Sequence, residues 1–172
     1  MIRIFTALLI SAFVIAGCTP TPTTGVGGVK IISRAETDAL IARHVDTVNA
    51  FRAERGLRPV QVSAQLIAAA RTHARDMSVQ KRAWHFGSDG SSPKDRAERA
   101  GYTGFVLGEN ISESYDSEFE LMQSWLRDPV TSRVMSNPRA TEIGLGWFQE
   151  PSGKLWWVQM MGQGRTSNLI GG

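Results

Sequence analysis

The segment Leu155-Trp156-Trp157-Val158-Gln159-Met160-Met161 is almost wholly apolar, with no alternation of wet and dry positions. A strand of this kind buries both of its faces, so it must run through the middle of a sheet covered by helices on each side. The residues before it supply the partner. Ile143, Leu145 and Trp147 alternate on one face, the period of a half-buried strand. Pro151-Ser152-Gly153 then makes the turn. An antiparallel hairpin therefore ends the domain.

Helical signals dominate the chain ahead of this hairpin. Ser33-Arg34-Ala35-Glu36 is a capping-box pattern. After it Leu40, Ile41, His44, Val45, Val48 and Phe51 recur at helical spacing, and Gly56 closes the segment. Pro59 holds Leu57 to Val62 extended. Ser63 caps a second helix whose stripe is Leu66, Ile67, Ala70, Ala74 and Met77; its alanines permit close approach to a neighbour. Residues 81–91 form a loop carrying His85. Ser92-Pro93 opens a short third helix that Gly101 ends. Phe105 to Ile111 reads as a short strand. Ser117-Glu118-Phe119-Glu120 is a second capping-box pattern, and the helix after it turns Phe119, Met122, Trp125 and Leu126 inward until Asp128-Pro129 stops it. Helices first and in the middle, with the hairpin last, predict an α+β fold with an antiparallel sheet between helical layers.

Chemistry concentrates at Leu107-Gly108-Glu109-Asn110-Ile111. There a carboxylate sits among Phe105, Val106, Leu107 and Ile111. A carboxylate in apolar surroundings needs a partner, and His85 is the natural candidate. Such a His–Glu pair could act as a general base on water. No nucleophile accompanies it. Ser112 and Ser114 lie near Glu109, but there is no Gly-x-Ser-x-Gly elbow, and no catalytic residue is assigned.

The N-terminal segment, residues 1–17, has one charge, Arg3, and an apolar run from Ile4 to Ala16. It is too short to span a bilayer comfortably and fits a signal peptide. Cys18 follows directly and is the single cysteine of the chain, so no internal disulfide can form. Residues 19–28 are a Pro/Thr then Gly-rich linker. About fourteen residues separate Cys18 from Ser33 and would span roughly 20 Å as a flexible coil. The formal net charge of +3, without a clustered basic stripe, does not point to nucleic acid.

These residues resemble two known patterns. Ile15-Ala16-Gly17-Cys18 resembles the lipobox of bacterial lipoproteins. That resemblance implies cleavage before Cys18, acylation of Cys18 and a stable membrane anchor, since two or more chains suffice for one. Thr19 resembles the outer-membrane sorting position if the host is Gram-negative. Asn49-Ala50-Phe51-Arg52, the run 70–77, His85, Ala100-Gly101-Tyr102, Gly108-Glu109-Asn110-Ile111, Trp125, the run 137–144 and Trp157-Val158-Gln159 look like successive blocks of the CAP (SCP-like) superfamily, over roughly residues 40–164. The family implies an extracytoplasmic three-layer α-β-α sandwich over residues 33–172, behind a lipidated linker at 18–32. It also implies a cleft of two histidines and two acids, which in some members holds zinc. By that resemblance His85 and Glu109 are the first histidine and acid, and Asp128 is the second acid. Thr131 stands where the second histidine belongs.

His85, Glu109 and Asp128 are then the metal candidates, with His85 and Glu109 expected to face each other across the cleft and Asp128 and Thr131 on its opposite wall. One imidazole is a poor zinc set, so weak zinc binding or none is expected. His44 and His73 are read as structural. The expected function is an envelope-anchored binding module for lipid, peptide or cell-wall ligands. The alternatives are a metal-assisted, protease-like hydrolase or an interaction domain with a vestigial cleft. Cys18→Ser is expected to abolish lipid labelling and to release the protein from membranes or leave it uncleaved; unchanged membrane fractionation would contradict the anchor.

Overall fold

The computed structural model describes residues 31–165. The signal segment and Cys18 lie outside the described residues. The elements run α1 (Arg34–Ala53), β1 (Gln61–Val62), α2 (Ala64–Gln80), α3 (Pro93–Arg99), β2 (Phe105–Glu113), α4 (Glu118–Arg127), α5 (Pro129–Met135), β3 (Glu142–Gln149) and β4 (Leu155–Gln163). The sheet order is β1-β3-β4-β2. β4 runs antiparallel to both neighbours, and the two residues of β1 add a short parallel rung to β3.

The near-continuous apolar run takes the central position its composition demands. Eight of the nine residues of β4 are buried. Its side chains alternate between two cores, which makes the three layers. Trp156, Val158 and Met160 face α2 and α3 with Leu66, Ala70, Ala74, Met77 and Ala97. Trp157 and Met161 face α1, α4 and α5 with Val48, Leu121, Trp125, Met135, Ile143 and Leu145. On the first side α2 lies almost on the backbone of β3. A Cβ on Gly144 would fall 2.4 Å from the Leu66 carbonyl carbon, and one on Gly146 would fall 2.4 Å from the Arg71 nitrogen. Only glycine permits that approach.

Helix starts follow the caps. Ser33, Ser63, Ser92 and Ser117 each accept a backbone N–H of the first turn from their side-chain oxygens. Asp128-Pro129 departs from the expected stop. It ends α4 but also starts α5, because Pro fits the first helical position and the Asp128 carboxylate caps the N–H groups of Val130 and Thr131. Phe119 is a second correction. It is 70 % exposed, because the buried stripe of α4 is Leu121, Met122 and Trp125, and a residue in the first turn two positions before Leu121 lies off it.

Two arginines, Arg52 and Arg96, are buried. Arg52 donates Nε–H to the Arg58 carbonyl at 2.8 Å, Nη1 to Met135 at 2.8 Å and Asn137 at 3.0 Å, and Nη2 to Ala140 at 3.1 Å. One side chain thus ties the end of α1 to the segments on either side of it.

Trp125 is 2 % exposed. It meets the His44 ring edge-on at 6.1 Å and donates its indole N–H to Ser112 Oγ at 2.9 Å. Trp125→Ala should cost about 3–5 kcal/mol in denaturant melts, while Phe119→Ala should stay within about 0.5 kcal/mol. Equal effects would contradict the assigned faces of α4.

Candidate functional site

Glu109 sits on β2 just after a β-bulge between Val106 and Gly108. Gly108 lets α5 come close, since a Cβ there would lie 2.8 Å from Val134 Cγ1. Glu109 and Asn110 alternate across the strand. Glu109 therefore points to the α2/α3 side and Asn110 to the α5 side, where its amide donates to the Thr131 carbonyl at 3.0 Å.

The Glu109 side chain is 1 % exposed and both its oxygens are engaged. Oε1 lies 2.9 Å from His85 Nδ1, and Oε2 accepts from Arg96 Nη2 at 2.7 Å. Arg96 also donates through Nη1 to the carbonyls of His85 at 3.1 Å and Ser91 at 2.8 Å. The same guanidinium thus grips the backbone of His85 and the carboxylate that grips its ring. Because Glu109 accepts at Nδ1, that nitrogen carries a proton, and in the neutral ring Nε2 presents a lone pair. The His85 side chain is 52 % exposed and that of Glu109 1 %, so the ring is the open member of the pair.

The loop carrying His85 is held from α2. His73 Nε2–H donates to the Trp84 carbonyl at 2.8 Å, and Trp84 donates its indole N–H to Gln80 at 2.7 Å. Asp76 accepts from Ser88 N at 2.7 Å, Ser88 Oγ at 2.6 Å and Gln80 Nε2 at 2.7 Å. Burial alone would raise the Asp76 carboxyl, but these hydrogen bonds outweigh it and hold the group below the usual carboxylate range. His73 is fully buried, 3.9 Å from Glu109. Burial pushes its imidazole below the usual histidine range, against the pull of Glu109. It is structural in that it holds the loop, and it is also a neighbour of the acid, which its place on a helix does not reveal. A cavity of about 380 Å³ opens beside the cluster, with Thr72, Asp76, Ser91 and Arg96 in its wall.

The remaining expected site residues sit elsewhere. Asp128 is exposed, with Oδ1 accepting from Val130 N at 2.7 Å and Thr131 N at 3.1 Å. Thr131 donates its hydroxyl to the Trp125 carbonyl at 2.7 Å, bridging α4 and α5. The structure thus forms two local pairs, His85 with Glu109 and Asp128 with Thr131. It does not assemble the expected metal trio of His85, Glu109 and Asp128: among the described residues no group of three or more His, Cys, Asp or Glu side chains converges. The remaining donors also fit zinc poorly. A cation on Glu109 would meet the Arg96 guanidinium 2.7 Å from the same carboxylate, a like-charge contact in a buried setting.

Arg96 is the residue that sequence reasoning missed. Its one local signal is its position on a helix whose Ser92 and Asp95 cap each other reciprocally.

The fold and this geometry have known counterparts. Residues 45–161 match the model of the cysteine-rich secretory protein family, CAP. An uncharacterized protein of Bacillus subtilis is 29 % identical over 119 residues, 69 % of this chain and 46 % of that protein. An extracellular SCP-domain protein of Bacillus anthracis superposes with a TM-score of 0.66 at 20 % identity, over 73 % of this chain and 41 % of that one. An outer surface protein of Borrelia burgdorferi superposes with a TM-score of 0.67 at 16 % identity, over 78 % of this chain and 97 % of that one. The chain spans less than half the length of either Bacillus protein. By the extent of the family match and the shared sandwich, the chain belongs to the cysteine-rich secretory protein (CAP) family.

Proposed function

We propose that this chain is a lipid-anchored, extracytoplasmic binding module of the cell envelope, without enzymatic activity, and that His85 is its ligand contact. The observation that carries this reading is the double engagement of Glu109 by His85 at 2.9 Å and Arg96 at 2.7 Å. A carboxylate spent on orienting a ring and balancing a buried guanidinium is not free to hold a metal or to serve as an independent acid. What remains exposed is an imidazole fixed in one orientation, which can accept a hydrogen bond from a hydroxyl, amide or ammonium of a ligand. The extracellular and outer-surface descriptions of the Bacillus anthracis and Borrelia proteins support an extracytoplasmic location. The single cysteine behind an apolar segment supports the anchor. No helix among the described residues is long and apolar enough to cross a membrane. The ligand class is lipid, peptide or cell-wall fragment, with no nucleic acid.

The half-exposed His85–Glu109 pair also supports a second reading, a hydrolase in which His85 Nε2 takes a proton from water. Ser112, close to Glu109 in sequence, gives that reading no nucleophile, since it faces the α4 side of the sheet, where its Oγ accepts the Trp125 indole N–H at 2.9 Å.

Calorimetry should be run with zinc, then with envelope phospholipids, muropeptides and extended peptides. Zinc should give no tight binding. One organic class should bind, and His85→Ala should weaken it about tenfold or more with little change in melting temperature, as loss of one hydrogen bond to a positioned group does. Hydrolysis of a peptide pool that His85→Ala abolishes would establish the second reading instead. Binding of none of these classes would leave the interaction-domain alternative standing.

A further inference from the structure

The end of the domain nearest the linker carries a set of arginines that the site does not use. Ile32, where the linker enters, donates its N–H to Gln149 Oε1 at 3.0 Å, at the end of β3. Ile32, Arg34, Arg71 and Trp147 line one shallow depression of about 670 Å³, with Asp38 as its sole carboxylate. The depression exists because β1 pairs only with Glu142 and Ile143. The rest of that edge of β3 lacks a strand partner, and Arg71 reaches over it from α2. Arg71 rests over the Trp147 ring at 5.9 Å, and Arg75, one turn further along α2, over Phe148 at 6.0 Å. Arg34, Arg71 and Arg75 are exposed. Among the described residues none of the three forms an ion pair, whereas Lys81 and Lys154 at the same end are paired with Glu150 and Glu113.

We infer that Arg34, Arg71 and Arg75 form a docking face for anionic phospholipid headgroups of the membrane to which the chain is tethered. This rests on the anchor reading of Cys18. Three physical points support it. The linker meets the fold at Ile32, in the wall of the same depression as Arg34 and Arg71, so a tether of roughly 20 Å keeps this face close to the membrane. Unpaired guanidiniums offer bidentate donors matched to phosphate, and basic residues near an anionic surface are drawn to it. Trp147, amphipathic and beside Arg71, is a side chain suited to the headgroup layer. The face turns the tethered domain to one orientation.

The test is arginine footprinting of the full-length chain, as purified from membranes, with phenylglyoxal and mass spectrometry. Vesicles of phosphatidylcholine are compared with vesicles containing about 30 % phosphatidylglycerol. Anionic vesicles should slow modification of Arg34, Arg71 and Arg75 about threefold or more, reversibly at high salt. Exposed Arg127 and Arg133 on α4 and α5 should not change. Arg71→Gln with Arg75→Gln should abolish the protection of Arg34. Equal rates in both vesicle types, or protection of all five arginines alike, would overturn the docking face. The Cys18 peptide is read in the same spectra. An unlipidated Cys18 would sink the anchor reading alone, because the footprint with vesicles still decides whether the face binds them.

Discussion

A carboxylate that is 1 % exposed can be folded into this sandwich only if charge and hydrogen bonds come with it. Glu109 obtains both from Arg96, and that requirement organises the α2/α3 layer. Arg96 must reach from α3 to β2, so α3 has to dock against the sheet edge. Its remaining donors then fall on the carbonyls of His85 and Ser91, which fixes the loop between α2 and α3. Asp76 and His73 hold the same loop from α2. The half-exposed imidazole at its tip is thus positioned by the fold itself.

That arrangement is why the proposed function leaves metal out. The carboxylate faces a guanidinium on one side and an imidazole N–H on the other. Asp128 spends its carboxylate as a helix cap, and Thr131 spends its hydroxyl in bridging α4 to α5. Where a second imidazole would enter, the chain has a residue that serves the backbone. The exposed lone pair of His85 is the chemically distinctive group left, and it suits recognition of a donor. The basic face around the linker is a separate matter of orientation.

Much of the scaffold was legible because its signals are local. Serine caps, the helical spacing of Leu66, Ala70, Ala74 and Met77, and the two-faced apolarity of β4 each depend on neighbours a few residues away. Glu109 and His85 were legible as a pair because a carboxylate among apolar residues needs a partner. Arg52 and Arg96 were not legible. Their burial depends on carbonyls and a carboxylate that converge only in three dimensions, such as Arg58, Met135, Asn137 and Ala140 around Arg52. α5 was missed because Asp-Pro reads equally as the end of one helix and the cap of the next. Asp128 and Thr131 matched cleft residues by family position, but Asp128 caps α5, and Thr131 is reached from β2 by Asn110, which points to the other side of the strand from Glu109.

The central claim is that Glu109 and Arg96 are one unit, and a double-mutant cycle measures that directly. Glu109→Gln, Arg96→Met and the double variant are melted in denaturant at one pH. Each single change strands a buried charge and should cost about 3–5 kcal/mol. The double variant should recover about 2 kcal/mol or more relative to the sum, because neither charge is then left alone. Costs that add to within about 0.5 kcal/mol would show that the two groups act independently and would contradict the account.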